Sequence, residues 1–477
     1  MDGAIPVGGH LGLMSHKSFI VNYDNLSMKL FVLTLLMTVL SSHLFAEQLD
    51  KIEDAENVSA KYQLTFNRQE HSAFSTKYPD FSTGNGLSSG RDAMYTTSAT
   101  AHWGFRAWEG GELYFDPEMV TGVPFTGALV GLGAFTNGEI TRAAGPKPTF
   151  YRQRLFLRET WGQGGEQERV DSDFNQLSGY VDHNRVVLTV GNFSSLDVFD
   201  NNSYAKDPRT QFQNWGNWTY AAYDYAADAR GYGWGFAAEW YHETWVYRIG
   251  RMSTPVSPNV EAVDLNLLQH YGDQFEVEHS YKIAERDGTI RLLLYHDRAV
   301  MASFNDATAG LMANYTFQTG PTALIGVRAS NKDKYGVGVN LEQSIDPNIG
   351  LFLRAMKSDG KTETLAFTEV DSSLSTGVLV NGAKWQRPDD SFGMSLMVDW
   401  ISADRLRFLE AGGVSFFIGD GTKNFHSGSE QILETFYSYG FFKNNWLTLD
   451  WQYIKNPAYN ADRGPVNVFG ARYHVEF

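Results

Sequence analysis

The chain has 477 residues, with 39 Lys and Arg against 55 Asp and Glu, a formal net charge of −16 and no cysteine. Such acidity excludes the basic surface that nucleic acid requires, and the missing cysteine excludes disulfides, thiolate metal sites and cysteine nucleophiles together. With 43% hydrophobic and 20% charged residues, including 32 Phe, 24 Tyr and 12 Trp, the chain is too apolar to be disordered.

Residues 1–27 are polar and lack an apolar core, and we read them as an upstream extension. Met28-Lys29 precedes a largely apolar run, Leu30–Leu40, and Ala46 precedes Glu47, which together give a secretory signal peptide over 28–46. An apolar core helix is the competing reading of that run. Residues 47–60 then form a short periplasmic segment. No later stretch of the sequence is long and apolar enough for a membrane-crossing helix. An exported chain of this kind is either water-soluble or a membrane β-barrel, and side-chain periodicity decides between them.

Period-two alternation dominates from residue 61 onward. In Tyr151–Trp161, Tyr151, Leu155, Leu157 and Trp161 fall on one face and Arg152, Arg154, Phe156 and Arg158 on the other. Three arginines on one side of a strand are costly in a dry sandwich but natural where one face meets lipid and the other water. Tyr232, Trp234, Phe236 and Trp240 oppose Gly231, Gly233, Gly235 and Glu239, and Tyr335, Val337, Val339 and Leu341 oppose Gly336, Gly338 and Glu342. The same pattern recurs in Phe392–Trp400, Leu447–Tyr453 and Phe469–Phe477, often with aromatics closing the apolar face, as in an interfacial girdle. Hairpin signals fall at Trp240–Trp245, Glu285–Gly288, Asp346–Asn348 and Ser358–Lys361.

Backbone amides in lipid must be paired within the protein, so strands cross a bilayer only as a closed barrel. The expected fold is therefore all-β, one antiparallel transmembrane β-barrel over 61–477. At roughly ten residues per crossing, its length suits about 16 strands. The terminal aromatic, Phe477, suits recognition by the barrel-assembly machinery. An apolar outer wall suits outer-membrane lipids and a homo-oligomer interface equally.

Enzyme motifs are missing: no nucleophile elbow, phosphate loop or zinc-helix motif occurs, and His279-Ser280, being adjacent, face opposite sides of a strand. Asp171-Ser-Asp-Phe-Asn175 begins like a calcium loop, but Gln176 stands where the turn glycine belongs. No metal and no cofactor are expected. The polar faces are the better site. A sugar presents hydroxyls that donate and accept, which Arg donors and carboxylate acceptors in a wet lumen match. Candidates for pore lining and sugar contact are Arg152, Arg154, Arg158, Glu239, Arg248, Arg328, Glu342 and Arg354, any of which could instead pair across the wall. The inward glycines 231, 233, 235, 336 and 338 leave room for a loop folded into the lumen.

Several segments resemble the carbohydrate-selective porin family of Gram-negative bacteria. They are Gly111–Glu118, Gly191–Phe193, Asp207–Phe212, Ala222–Tyr232, Phe417–Gly421 and, most specifically, Asn456–Val466. The resemblance runs from about residue 95 to the end. It implies a sixteen-stranded outer-membrane barrel that passes small sugars such as glucose by facilitated diffusion. Arg209, Asp224, Asp228, Arg230, Asp462 and Arg463 are the family features it carries over. The competing functions are an outer-membrane barrel enzyme of lipase or esterase type and a soluble all-β sugar-binding protein.

Overall fold

The computed structural model describes residues 55–80, 84–143, 145–314, 322–422 and 425–477. The expected upstream extension and signal peptide lie outside the described residues. In chain order the strands are β1 (Val58–His71), β2 (Asp92–Trp108), β3 (Gly111–Val123), β4 (Gly145–Gly162), β5 (Gln167–Val170) and β6 (Gly179–Asp182). They continue with β7 (Arg185–Phe193), β8 (Gly233–His242), β9 (Trp245–Met252), β10 (Tyr271–Ile283), β11 (Arg286–Val300) and β12 (Asn331–Asp346). The last are β13 (Ile349–Ser358), β14 (Ser372–Asn381), β15 (Ser391–Trp400), β16 (Glu430–Phe442), β17 (Asn445–Lys455) and β18 (Val466–Glu476).

The strands β5 and β6 pair only with each other; the other sixteen form a closed antiparallel barrel in sequence order, and β18 returns to β1. The closing seam sets Thr65 opposite His474 and Asn67 opposite Arg472. Closure leaves no unpaired strand edge to lipid.

Alternation dictates what each side meets. In β17 the outward Leu447 and Leu449 are 43% and 62% exposed, while the inward Thr448, Asp450 and Gln452 are buried. Exposed aromatics gather in two belts: Phe105, Trp108, Trp161, Trp240, Trp245 and Phe442 toward one end, and Phe150, Tyr335, Trp400 and Phe469 toward the other. Belts of this kind mark the two membrane–water interfaces.

The connections are unequal. The described residues of segments 72–91, 124–144, 194–232, 253–270, 301–330, 359–371, 401–429 and 456–465 belong to connections at one end, which by this asymmetry is the extracellular one. At the other end most turns are two residues long, such as 243–244 and 284–285, and the exceptions are 163–184 and 382–390.

Three local expectations change. Tyr232, expected to share a face with Trp234 and Phe236, precedes β8 and is buried against the lumen. Ser358–Lys361 opens the longer 359–371 connection rather than closing a tight hairpin. In β4, strict alternation fails at a bulge. Asp116 faces Arg154 and Pro117 faces Arg152, so Gln153 is an extra residue that flips everything before it. Tyr151 therefore points into the lumen, donating its hydroxyl to Glu118. Arg152 lies on the outer face instead of the expected inner one, exposed, 4.9 Å from the Trp234 ring and hydrogen-bonded to Asn192.

Candidate functional site

The lumen is occupied by its own chain. Segment 194–232 leaves β7 at the extracellular end and folds inside the barrel. Its sequence is too rich in Trp, Tyr and Ala for a solvent loop, and its rings pack into a buried cluster. Trp215 stacks on Phe367 at 4.8 Å, and Tyr223 lies 5.4 Å from Tyr225 and 5.3 Å from Tyr295. The single helical turn Trp215–Trp218 is capped by Asn214, whose side chain accepts from the Gly216 N–H at 3.1 Å.

Polar tethers run from this segment to the wall in several directions. Arg354 on β13 donates to Asp200 at 2.9 Å, and Asn340 on β12 donates to the same carboxylate at 2.6 Å. Arg209 reaches Glu118 on β3 at 2.7 Å and Glu139 at 2.6 Å. Lys334 on β12 meets Asp224 at 2.6 Å, and Asp224 also accepts from the Leu365 and Ala366 N–H groups. Asn217 bonds Ser395 on β15 at 2.7 Å, and Arg472 on β18 donates to the Pro208 carbonyl at 2.7 Å. Every residue in these ion pairs is buried. Close approach is paid for in glycine: a Cβ at Gly338 would sit 2.9 Å from the Tyr220 ring, and one at Gly393 would sit 2.9 Å from Phe212.

What stays open is a cavity of about 830 Å³ against the wall formed by β2, β3, β4, β7, β8 and β9. Its size falls within the roughly 300–1,000 Å³ of small-molecule sites. Guanidiniums of its wall lie against tyrosine rings on or behind it. Arg154 and Arg142 lie 5.2 and 5.8 Å from the Tyr232 ring, Arg158 5.2 Å from Tyr114, and Arg185 and Arg248 3.9 and 5.9 Å from Tyr241. These are cation–π distances. The inner segment contributes Asp197, which takes Arg154 in a fork of 2.8 and 2.7 Å. Burial opposes ionisation of Asp197, yet Arg154 beside it holds the carboxyl below its usual range.

Of the expected lining residues, Arg154, Arg158, Glu239 and Arg248 are together on this cavity. Glu239 and Arg248 pair at 2.9 Å and start a ladder around the wall: Arg248 to Glu278 at 2.9 Å, Glu278 to Arg291 at 2.7 Å, Arg291 to Glu342 at 3.2 Å. Glu342 and Arg354 point inward but do not line the cavity, Arg354 being held by Asp200. Arg328 is not on a strand. It follows the one-turn helix Thr322–Ile325 and grips Glu363 at 2.6 Å, joining two extracellular connections.

The family-motif positions divide likewise. Arg230 lines the cavity, 4.6 Å from the Tyr151 ring and 2.5 Å from Glu261. Asp228 shapes the turn before β8 by accepting from the Arg230 and Tyr232 N–H groups, and burial raises its pKa. Asp462 holds Lys77 at 2.5 Å and His426 at 2.6 Å, and Arg463 holds Asp80 at 2.7 Å, so both fasten extracellular connections. Asp200, Glu118, Glu139 and Arg142 escaped the sequence reading; the one signal for Asp200 was the aromatic, Asn-rich composition of its segment. Among the described residues no group of His, Asp and Glu is arranged to hold a metal ion.

A family model, carbohydrate-selective porin, OprB family, matches residues 85–477. The chain belongs to that family. It is a porin of the Gram-negative outer membrane, and its function is that of a sugar channel. Among solved structures the porin is similar to Pseudomonas putida OprB at high pH, with 16% identity and a TM-score of 0.63 over 91% of this chain and 96% of that one. It is also similar to the outer membrane channel DcaP of Acinetobacter baumannii, with 9% identity and a TM-score of 0.47 over 89% of this chain and 98% of that one. No curated protein sequence matches it.

Proposed function

We propose that the arginine- and tyrosine-lined cavity is the path by which small sugars, monosaccharides such as glucose among them, cross passively. The observation that carries this reading is the pairing of N–H donors with ring faces on one continuous wall, between Arg154–Tyr232 and Arg185–Tyr241. A sugar has hydroxyl edges for the first and C–H faces for the second. Contacts of this kind replace hydration in steps, and passage requires that each be weak enough to release. The protein contributes no catalysis and uses no cofactor. Arg154, Arg158, Glu239, Arg248 and Arg230 are the residues we assign to solute contact. Arg354, Glu342, Arg209 and Asp224 serve the inner segment and the wall.

We further propose cleavage after Ala46, folding through the barrel-assembly machinery acting on the Phe477 end, and lipid contact along the outer wall. Planar-bilayer conductance of the purified porin, titrated with sugars, tests the channel reading. Glucose should lower the ionic current saturably, with half-block on the order of millimolar, as expected for a weak site. Current indifferent to every sugar would refute it.

A further inference from the structure

Chain and cavity differ in charge. Over the whole sequence carboxylates exceed basic groups, 55 to 39, whereas on the cavity wall cationic side chains outnumber carboxylates. Asp197, Glu239 and Glu112 share the wall with the arginines they pair, but other balancing carboxylates stand behind it. Asp116, Glu118 and Glu139 are at most 2% exposed and do not line the cavity, so beside these three a solute meets guanidinium N–H groups first. Because Coulomb energy falls with distance, the nearer charges dominate the potential that a solute feels.

Arg158 is the sharpest case. Among the described residues it forms no ion pair. Its guanidinium donates once, at 2.8 Å, to the Asn175 carbonyl of the 163–184 connection, and lies 5.2 and 5.4 Å from the Tyr114 and Phe156 rings. It is half-buried on the cavity wall, so donors of a planar fork remain turned to the lumen. Arg142, deeper toward the extracellular side, is only loosely balanced. Its nearest carboxylates are Glu139 at 3.6 Å and Glu118 at 4.0 Å, and Arg209 already holds both.

A guanidinium without a carboxylate, in a partly dehydrated groove, selects a ligand that brings one. We propose that the porin passes acidic sugars, uronates and aldonates, with Arg158 as the contact for their carboxylate. This rests on the sugar-channel reading and narrows it to a substrate class.

The test is entry of labelled glucuronate and labelled glucose into proteoliposomes containing the full porin. Glucuronate should enter at least as fast as glucose. Arg158→Gln should lower the ratio of glucuronate to glucose entry about tenfold, the effect of losing one charge-assisted hydrogen bond, and Arg158→Lys should restore part of it. The reversal potential of the unmodified porin across a sodium glucuronate gradient needs no variant and should have the sign of anion passage. Glucose entering while glucuronate is excluded, a cation-selective potential, or an unchanged ratio in Arg158→Gln would each overturn the proposal and leave the sugar channel standing. Entry of neither solute would overturn both.

Discussion

Asp200 shows how much a single side chain carries here. It accepts from Arg354 at 2.9 Å, Asn340 at 2.6 Å and Thr219 at 2.9 Å, so two strands and the inner segment converge on one buried carboxylate. Removing its charge leaves the Arg354 guanidinium buried and uncompensated, at a cost of about 3 kcal/mol. Asp200→Asn should lower the temperature at which the folded porin changes its gel migration, and should raise single-channel conductance as the inner segment loosens. Unchanged conductance would mean that this segment does not limit the pore. At the same scale Arg152 shows what a sequence pattern leaves out. Nothing in the run Tyr151–Trp161 announces the extra residue at Gln153, because a bulge is settled by which strand the segment pairs with.

Among the elements, the 163–184 connection is unusual for lying at the short-turn end yet reaching back into the lumen. Phe174 packs against His102 with ring centroids 4.5 Å apart, Asn175 donates to Asp116 at 2.8 Å, and the Leu177 N–H donates to Tyr114 at 3.1 Å. Shortening residues 171–178 to a glycine turn should widen the periplasmic mouth and raise conductance at least about twofold without changing barrel assembly, because long insertions add little to loop-closure cost. Planar-bilayer recording and gel migration check both parts. At the opposite end, Lys77 and His426 converge on Asp462 and clasp three connections together. The Lys77 contact holds the Asp462 carboxyl below its ordinary value of 3.8. A lowered folded-state pKa means that the clasp contributes its full stability above 3.8 and loses it as pH falls through the lower folded value. Measured as protection relative to intrinsic exchange, the amides across 456–465 should therefore lose protection as pH falls below 3.8, and lose more than in Asp462→Ala, where the clasp is already absent.

For the molecule as a whole, the barrel and its membrane were legible in the sequence. Alternation in β8, β12, β15, β17 and β18 is a local property: a strand one residue out of register would turn Leu447 and Leu449 to water and Asp450 to lipid, so the pattern fixes the two faces without knowledge of the partners. The glycines of β12 signalled that something would fill the lumen, and Gly338 does face Tyr220 of the inner segment. The identity of the filling could not be read. Arg354 and Arg154 look alike in sequence, each inward on a strand; Asp200 holds one away from the cavity, while the other, forked by Asp197, lines it. That difference depends on contacts between residues more than a hundred positions apart, such as Asp200 with Arg354 and Asp224 with Lys334. Periodicity along one strand carries no information about them. The sequence by itself determined an oily outside, a polar inside and the closed wall they require, because each follows from neighbours two residues apart. Only the tertiary structure decided where the lumen stays open, since that is set by how one long connection packs its rings and ion pairs against strands remote from it.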